Sequence, residues 1–203
     1  MLDTLIALDQ EVFLWFNGFH NTFFDGLMWW ISDDLIWSPF YALMLFFALR
    51  KLRSQKLTSL KYVAALVVSV VITIAISDQV ASGFLKPTVE RFRPSHEPVL
   101  EGMVHNVENP MKGGIYKGGK YGFVSSHAAN TFGFAIFFLL LFKSNWGKSL
   151  LLWAAVVSYS RIYLGVHYPG DIIGGALVGL GAGVIGFWTF TKTKDYMQKK
   201  SVV

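Results

Sequence analysis

The sequence predicts an all-α integral membrane protein, a six-helix bundle preceded by an amphipathic helix at the membrane interface. Hydrophobic residues make up 53% of the chain and charged residues only 15%, whereas soluble domains carry about 25% charged residues. Several apolar stretches reach or approach the roughly 20 residues that a helix needs to cross the hydrocarbon core. With 203 residues and no cysteine, the chain fits a single membrane domain over residues 1–203 and excludes a disulfide-rich scaffold.

The N-terminal part of the chain mixes aromatic and acidic side chains. This pattern predicts an amphipathic helix over about 3–18, at the interface where aromatic rings prefer to lie. A short first span is predicted over about 22–32. The chain begins without a basic segment and carries Asp3, so we expect no cleavable signal peptide.

Five further apolar stretches predict the remaining spans. They are residues 35–49, 62–85, 127–142, 146–164 and 171–190. The last is rich in glycine at the spacing that lets helices approach closely. We therefore expect its glycines to serve helix packing.

The distribution of Lys and Arg predicts the orientation. Eleven of the 18 basic residues fall in the 50–61 and 143–148 connections and in the C-terminal tail, and the side with more basic residues is normally cytoplasmic. We expect a protein of the bacterial inner (cytoplasmic) membrane with both termini in the cytoplasm. Residues 86–126 and 160–171 then lie on the periplasmic or outer face. The net charge of +5 is thus explained by the bilayer, and no nucleic-acid partner is expected.

Three groups of reactive residues fall on that expected outer side. Lys86 and Arg93 are seven residues apart, about two helical turns, which lets both cations point to one place. Residues 125–127, Ser-Ser-His, begin an apolar helix whose free N–H groups and dipole favour an anion. The third group runs from Arg161 to Asp171, and places Asp171 at the N-cap of the last span.

Together these residues predict an anion cage with an acid–base pair. Lys86, Arg93, Arg161 and a helix N-terminus suit a multiply charged oxyanion such as phosphate. The carboxylate of Asp171, four residues after His167, can orient that histidine as a nucleophile. His127 can protonate the leaving oxygen. No carboxylate cluster suited to Mg²⁺ accompanies them, so neither a metal nor another cofactor is expected.

The three groups resemble the tripartite motif of the type 2 phosphatidic acid phosphatase superfamily: K-x6-RP, P-S-G-H and S-R-x5-H-x3-D. The first and third parts are intact, over residues 86–94 and 160–171. In the second part Val124 replaces proline and Ser126 replaces glycine, while the serine and the histidine match. The motif core therefore spans residues 86–171, and the order of its parts relative to the predicted spans also matches.

The resemblance implies a role for each matching residue. His167 attacks phosphorus to form a phosphohistidine, Asp171 orients it and His127 protonates the leaving group. The remaining matching residues hold the phosphate: Lys86, Arg93, Ser125, Ser126 and Arg161. The implied enzyme is a membrane lipid phosphatase, whose partners are the bilayer and a membrane lipid phosphate.

Several questions stay open at the level of sequence. Undecaprenyl diphosphate, phosphatidylglycerol phosphate, phosphatidic acid and lipid A all present a phosphate at headgroup level. A lipid phosphotransferase would use the same phosphohistidine, and an anion carrier would use the same cations without catalysis. The basic stretch with Lys112, Lys117 and Lys120 mildly favours a substrate with a second phosphate. The oligomeric state is left open.

Three ionisable features other than the matching motif residues have modest interpretations. His96 and His105 lie in the long loop, but without cysteine or a close pattern of carboxylates we do not expect them to bind a metal. Asp78 lies within a span, where an ionisable residue is a functional candidate. Its position two turns before Lys86 favours a structural partner of the site. Arg91 is expected to face solvent or headgroups.

Overall fold

The computed structural model describes residues 2–200, in which the regular elements are all helical, with two isolated β-bridges and no strand among those residues. In chain order the α-helices are α1 Leu2–Asn17, α2 Thr22–Ser32, α3 Ser38–Ser54, α4 Leu60–Asp78, α5 Lys86–Val89, α6 Ser126–Phe142, α7 Ser149–Tyr163 and α8 Pro169–Lys199. The predicted all-α class is confirmed. Each predicted apolar stretch corresponds to one of these helices, with ends that differ by up to nine residues.

Within residues 2–200, three helical stretches are long and apolar enough to cross a membrane: Asp34–Ser54, Leu60–Val89 and Pro169–Lys199. The chain is thus an integral membrane protein. The apolar α6 has 17 residues and α7 has 15. Helix α2 has only 11 residues, about 16 Å, which is roughly half of the hydrocarbon core. The six-span count therefore stays a prediction.

Helix α1 is held to the bundle on one face and exposed on the other. Phe13 is fully buried and packs edge-to-face on Tyr168 with ring centroids 5.4 Å apart. Asn17 is buried and donates to the carbonyls of Ile162 and Tyr163. Leu8 and other apolar residues of this helix remain exposed. This two-faced character is compatible with the predicted interfacial location, which stays a prediction.

The centre of the bundle is the tight contact between α6 and α8. A Cβ on Gly175 would lie 2.4 Å from the Ser125 carbonyl oxygen, and one on Gly179 would lie 2.4 Å from that of Ala129. Both distances are shorter than any real Cβ contact, so only glycine allows this approach. The structure agrees with the packing role expected for these residues.

Helix α4 does not end cleanly but continues as a π-helical stretch, Gln79–Leu85, into α5. Such widened turns are frequent at functional sites. Glu90 then adopts a left-handed conformation with φ 50° and ends the helix. Lys86 therefore lies on a helix and Arg93 lies beyond it, so the expectation that both share one helical face is wrong.

The long connection from residue 90 to 125 folds over the end of the bundle. Its backbone pairs with itself, since Arg93 N–H donates to the Lys120 carbonyl and Gly122 N–H donates to the Arg91 carbonyl. Two apolar side chains of this segment, Leu100 and Val107, are buried against the bundle. The segment thus brings the chain back toward α5 and places Arg93 over the ends of α7 and α8.

Candidate active site

All eight predicted site residues lie at one end of the bundle, where α5 ends, α6 and α8 begin and α7 ends. The chain reverses between these elements, so residues 86 to 171 meet although they are far apart in sequence. Five of the eight are buried: Arg93, Ser125, Arg161, His167 and Asp171. The site is thus built largely inside the protein.

His167 and Asp171 form the buried centre of the site. His167 Nδ1 lies 3.1 Å from Asp171 Oδ2, and the two residues are 1% and 0% exposed. The same carboxylate oxygen accepts a hydrogen bond from the Tyr168 backbone N–H at 3.1 Å. Asp171 is therefore at the third position of α8 and not at its N-cap, which is Tyr168. The predicted N-cap position is wrong, but the pairing with His167 is present.

Arg93 contacts the opposite edge of the histidine ring. Its Nη1 donates to His167 Nε2 at 3.0 Å and to the Val166 carbonyl at 3.1 Å, while its Nε donates to the Tyr121 carbonyl. A donor at Nε2 and a carboxylate at Nδ1 together select the neutral tautomer with the proton on Nδ1. Nε2 then carries the lone pair that a nucleophile needs.

The electrostatic surroundings keep His167 neutral. Burial lowers the pKa of His167 well below its ordinary value, and the positive charges of Arg93 and Arg161 lower it further. Burial also lowers the pKa of Arg93 to about 10, with Arg161 contributing. Arg93 therefore remains charged at neutral pH, beside an uncharged imidazole.

Lys86 is positioned by hydroxyl groups from two helices. Its Nζ donates to Ser126 Oγ and, at 3.3 Å, to Ser82 Oγ. The two hydroxyls are 2.7 Å apart, and Ser82 in turn lies 3.2 Å from Asp78 Oδ1. Asp78 thus reaches Lys86 through Ser82, in agreement with the structural role expected for it.

Ser125 and Ser126 play different parts. Ser125 is the N-cap of α6, fully buried, and its Oγ accepts from the Ala128 N–H at 3.4 Å. Its hydroxyl is therefore engaged by the helix. Ser126, which stands where the motif has glycine, accepts a hydrogen bond from Lys86 through its hydroxyl oxygen.

Arg161 is held by side chains that the motif does not contain. Its Nη1 donates to Ser32 Oγ at the end of α2, and its Nη2 donates to Tyr116 OH at 2.9 Å. Its Nε is buried without a hydrogen-bond partner among the described residues. One donor of the guanidinium is thus free to meet an anion.

His127 lies in the first turn of α6, beside an acidic residue from a distant part of the chain. Its Nε2 is 3.8 Å from Asp34 Oδ1, a distance that permits electrostatic attraction but exceeds a hydrogen bond. Asp34 belongs to the short turn Asp34–Trp37 between α2 and α3. Sequence reasoning did not single it out, because nothing in the local pattern joins it to His127.

Two more residues are close to the reacting pair and were missed or misread. Arg91 Nη1 lies 3.2 Å from Asp171 Oδ1 and its Nη2 lies 2.8 Å from Asp9. The expectation that Arg91 faces solvent or headgroups is wrong. A Cβ on Gly122 would lie 2.8 Å from Asp171 Oδ2, so this glycine admits the carboxylate. In the sequence, only its place after the glycine-rich part of the loop pointed to a special role for Gly122.

Two cavities meet at His127. The inner cavity, about 500 Å³, lies among α3, α4, α6 and α7, with Val70, Ile74, Phe134 and Trp153 on its walls. The mouth cavity, about 390 Å³, lies under the long loop and is lined by Trp29, Asp33, Tyr116 and Arg161 among others. His127 and Asp34 line both. The site is therefore connected to both cavities, of which the mouth cavity is lined by more charged side chains.

The loop histidines lie in separate places. His96 contacts Ser95, whereas His105 stacks on His20 with ring centroids 3.7 Å apart and lies 2.9 Å from Asp25. Over residues 2–200, no group of three or more histidine and acidic side chains has a metal-binding arrangement.

The fold and the arrangement of buried cations around two histidines are those of a membrane-embedded phosphatase. The family model of the PAP2 superfamily matches residues 58–195, and the chain belongs to this superfamily. It resembles the lipid A 4'-phosphatase of Bacteroides thetaiotaomicron, with 39% identity over 88% of this chain and 75% of that one. It also resembles the lipid A 4'-phosphatase of Porphyromonas gingivalis, with 35% identity over 98% and 78%.

A solved structure supports the fold independently. The PAP2-type phosphatidylglycerolphosphate phosphatase from Bacillus subtilis superimposes with a TM-score of 0.59, covering 97% of this chain and 88% of that one at 19% identity. By the family match and the two relatives above, the chain is a membrane hydrolase of the lipid phosphatase kind.

Proposed function

We propose that this enzyme hydrolyses a lipid phosphomonoester or diphosphate at the extracytoplasmic face through a phosphohistidine on His167. The observation that carries the proposal is the pair of contacts on that ring. Asp171 accepts from Nδ1, and Arg93 faces Nε2. A buried neutral imidazole fixed in this tautomer presents its lone pair where the cations hold a phosphate.

The reaction follows from the positions of these groups. Nε2 of His167 attacks phosphorus as the bond from phosphorus to the lipid oxygen breaks, and protonated His127 gives its proton to that oxygen. Water then attacks the phosphohistidine, losing a proton to His127, and His167 and inorganic phosphate are released. The free Nε of Arg161 and the Nζ of Lys86 stabilise the charge on the phosphoryl oxygens.

The carboxylate of Asp34 supports the acid role of His127. An acid must carry its proton when substrate binds, yet Arg161 lines the mouth cavity beside His127. An aspartate 3.8 Å from Nε2 counteracts the repulsion from that cation. The two histidines thus differ in the group that faces Nε2: Arg93 donates to that atom of His167, whereas Asp34 lies 3.8 Å from that atom of His127.

The substrate that we favour is a lipid A-type phosphate. Two relatives that share 39% and 35% identity with this chain over most of its length are named lipid A 4'-phosphatase. Phosphatidic acid, phosphatidylglycerol phosphate and undecaprenyl diphosphate are the competing substrates. A phosphotransferase that passes the phosphoryl group to another lipid is the competing reaction.

The proposal is tested by phosphate release from these four lipids in EDTA, with the detergent-purified protein and its His167→Ala variant. We expect release without added metal, and a loss of about 10⁴-fold or more in kcat when the nucleophile is removed. His96→Ala, in the same loop region but outside the site, should retain activity. A strict Mg²⁺ requirement, or activity that persists in His167→Ala, would contradict the mechanism, and phosphate release only with an acceptor lipid would indicate the transferase.

A further inference from the structure

The two cavities that meet at His127 place a constraint on the alcohol part of the substrate. The leaving oxygen must contact His127, so the group attached to it begins at the junction that His127 and Asp34 form. A leaving group made of acyl or prenyl chains alone needs only the inner cavity, whose walls are mainly apolar. The mouth cavity is then left without an occupant.

We propose that the mouth cavity binds the sugar ring of a glycolipid phosphate, while an acyl chain of the same molecule lies in the inner cavity. The inference rests on the proposed function, because it takes His127 as the acid that protonates the leaving group. The sugar class follows from the composition of the walls.

The walls of the mouth cavity combine aromatic surface with both kinds of hydrogen-bonding group. Trp29 and Tyr116 meet edge-to-face with ring centroids 5.2 Å apart, and such rings offer an apolar surface to the C–H face of a sugar. The indole Nε1 of Trp29 is buried with no hydrogen-bond partner among residues 2–200. Asp33 and Asp34 supply carboxylate oxygens. Hydroxyl and amide groups of a ring sugar satisfy such mixed donors and acceptors.

The charges argue against a second phosphate in this cavity. Asp33 and Asp34 line it together with Lys112 and Arg161, so the cavity has no excess of positive charge to offer a second phosphate. Only one of the three loop lysines reaches the cavity, Lys112. Lys117 lines a different cavity and Lys120 lies over the rings of Phe92 and Tyr121. The three lysines therefore do not converge on a second phosphate.

Leu35 offers a way to block the mouth cavity without touching the reacting groups. It lines that cavity, is absent from the lining of the inner one, and its side chain is 81% exposed. The neighbouring Ile36 lines neither cavity and is 46% exposed. Leu35→Trp and Ile36→Trp are thus matched changes in size, one inside the cavity and one outside it.

The test compares the full chain in detergent on a synthetic diacylglucosamine 4-phosphate and on phosphatidic acid with the same acyl chains. We expect Leu35→Trp to lower kcat/KM for the sugar lipid about tenfold or more, and for phosphatidic acid less than about twofold. Ile36→Trp should leave both values unchanged. Trp29→Phe, which keeps the ring and removes the N–H, should raise KM for the sugar lipid about threefold to tenfold, with kcat nearly constant.

The outcomes separate the two proposals. An equal effect of Leu35→Trp on both lipids, or no effect on either, would overturn the assignment of the cavity. The same holds if wild-type protein cleaves phosphatidic acid but not the sugar lipid. Release of phosphate from neither lipid by wild-type protein would instead remove the proposed function itself. Retained cleavage of phosphatidic acid shows that a variant has folded.

Discussion

At the scale of single residues, burial and the neighbouring charged side chains set the pKa of His167, the proposed nucleophile. Burial and the neighbouring cations lower its pKa well below the ordinary value, and Arg91 is one of those cations. Arg91 also forms an ion pair with Asp171 at 3.2 Å. Arg91 therefore lowers the pKa of His167 in two ways. Its own charge repels the protonated ring, and its ion pair with Asp171 offsets the carboxylate that would favour the protonated ring.

Arg91→Gln should move the acid limb of kcat/KM to higher pH. Removing the cation raises the pKa of His167, and the unpaired Asp171 raises it further, so the nucleophile becomes protonated at a higher pH than in wild type. The shift should be on the order of one pH unit. The measurement is the pH dependence of kcat/KM, which reports on groups of the free enzyme, with one substrate for both proteins so that the ionisation of the substrate cancels.

Lys120→Gln is the control, because Lys120 belongs to the same loop but contacts the rings of Phe92 and Tyr121. It should leave the acid limb in place. A limb that does not move in Arg91→Gln, or that moves equally in both variants, would show that Arg91 does not tune the nucleophile.

At the scale of helices, the contact between α6 and α8 fixes the site, because the N-terminal ends of these helices carry His127 and Asp171. Glycines on α8 bring the two backbones together: a Cβ on Gly179 would lie 2.4 Å from the Ala129 carbonyl oxygen and 2.8 Å from the Gly133 backbone nitrogen. These facing atoms belong to the backbone of α6, which cannot move aside as the end of a flexible side chain could. Any larger residue must separate the helices.

Gly179→Val should therefore destabilise the bundle by about 1–3 kcal/mol and reduce activity. Gly181, two residues away on the same helix, has open space around its Cβ position, and Gly181→Ala should be neutral or slightly stabilising. Thermal unfolding of the two variants in detergent measures the difference. A Gly179→Val variant as stable as Gly181→Ala would show that the close approach is not needed.

The same scale shows where sequence reasoning succeeds and where it fails. Apolar length and local motifs located the helices and the paired His167 and Asp171, since these depend on neighbours in sequence. The convergence of Lys86 and Arg93 was explained wrongly, because a left-handed residue and a chain reversal cannot be read from helical spacing. Asp34 and Arg91 were missed or misread because their partners are about 80 to 90 residues away in the chain.

At the scale of the whole molecule, the fold separates two kinds of basic residue. The cations of the site lie where α5 and α7 end and α6 and α8 begin. Residues 50–61 around the turn between α3 and α4, residues 143–148 between α6 and α7, and residues 192–200 at the end of α8 lie at the opposite end of the bundle, and they carry the eleven other basic residues. This asymmetry is the basis for the proposed orientation, with the site outside the cell membrane and the basic turns in the cytoplasm.

The orientation has a direct test because the chain has no cysteine, so each introduced thiol is the only one. Met103→Cys places a thiol on the exposed loop at the site end, and Gln55→Cys places one in the exposed turn at the other end. A membrane-impermeant maleimide added to spheroplasts should label residue 103 at once and residue 55 only after permeabilisation. Both variants should keep phosphatase activity, since neither residue lines the site.

Labelling in the reverse order would place the site in the cytoplasm. The enzyme would then meet lipids on the inner leaflet, and a lipid A-type substrate would have to be processed before export. Labelling in the expected order restricts substrates to phosphates exposed on the outer leaflet. The orientation that the eleven lysines and arginines favour thus determines which leaflet supplies the lipid that the mouth cavity binds.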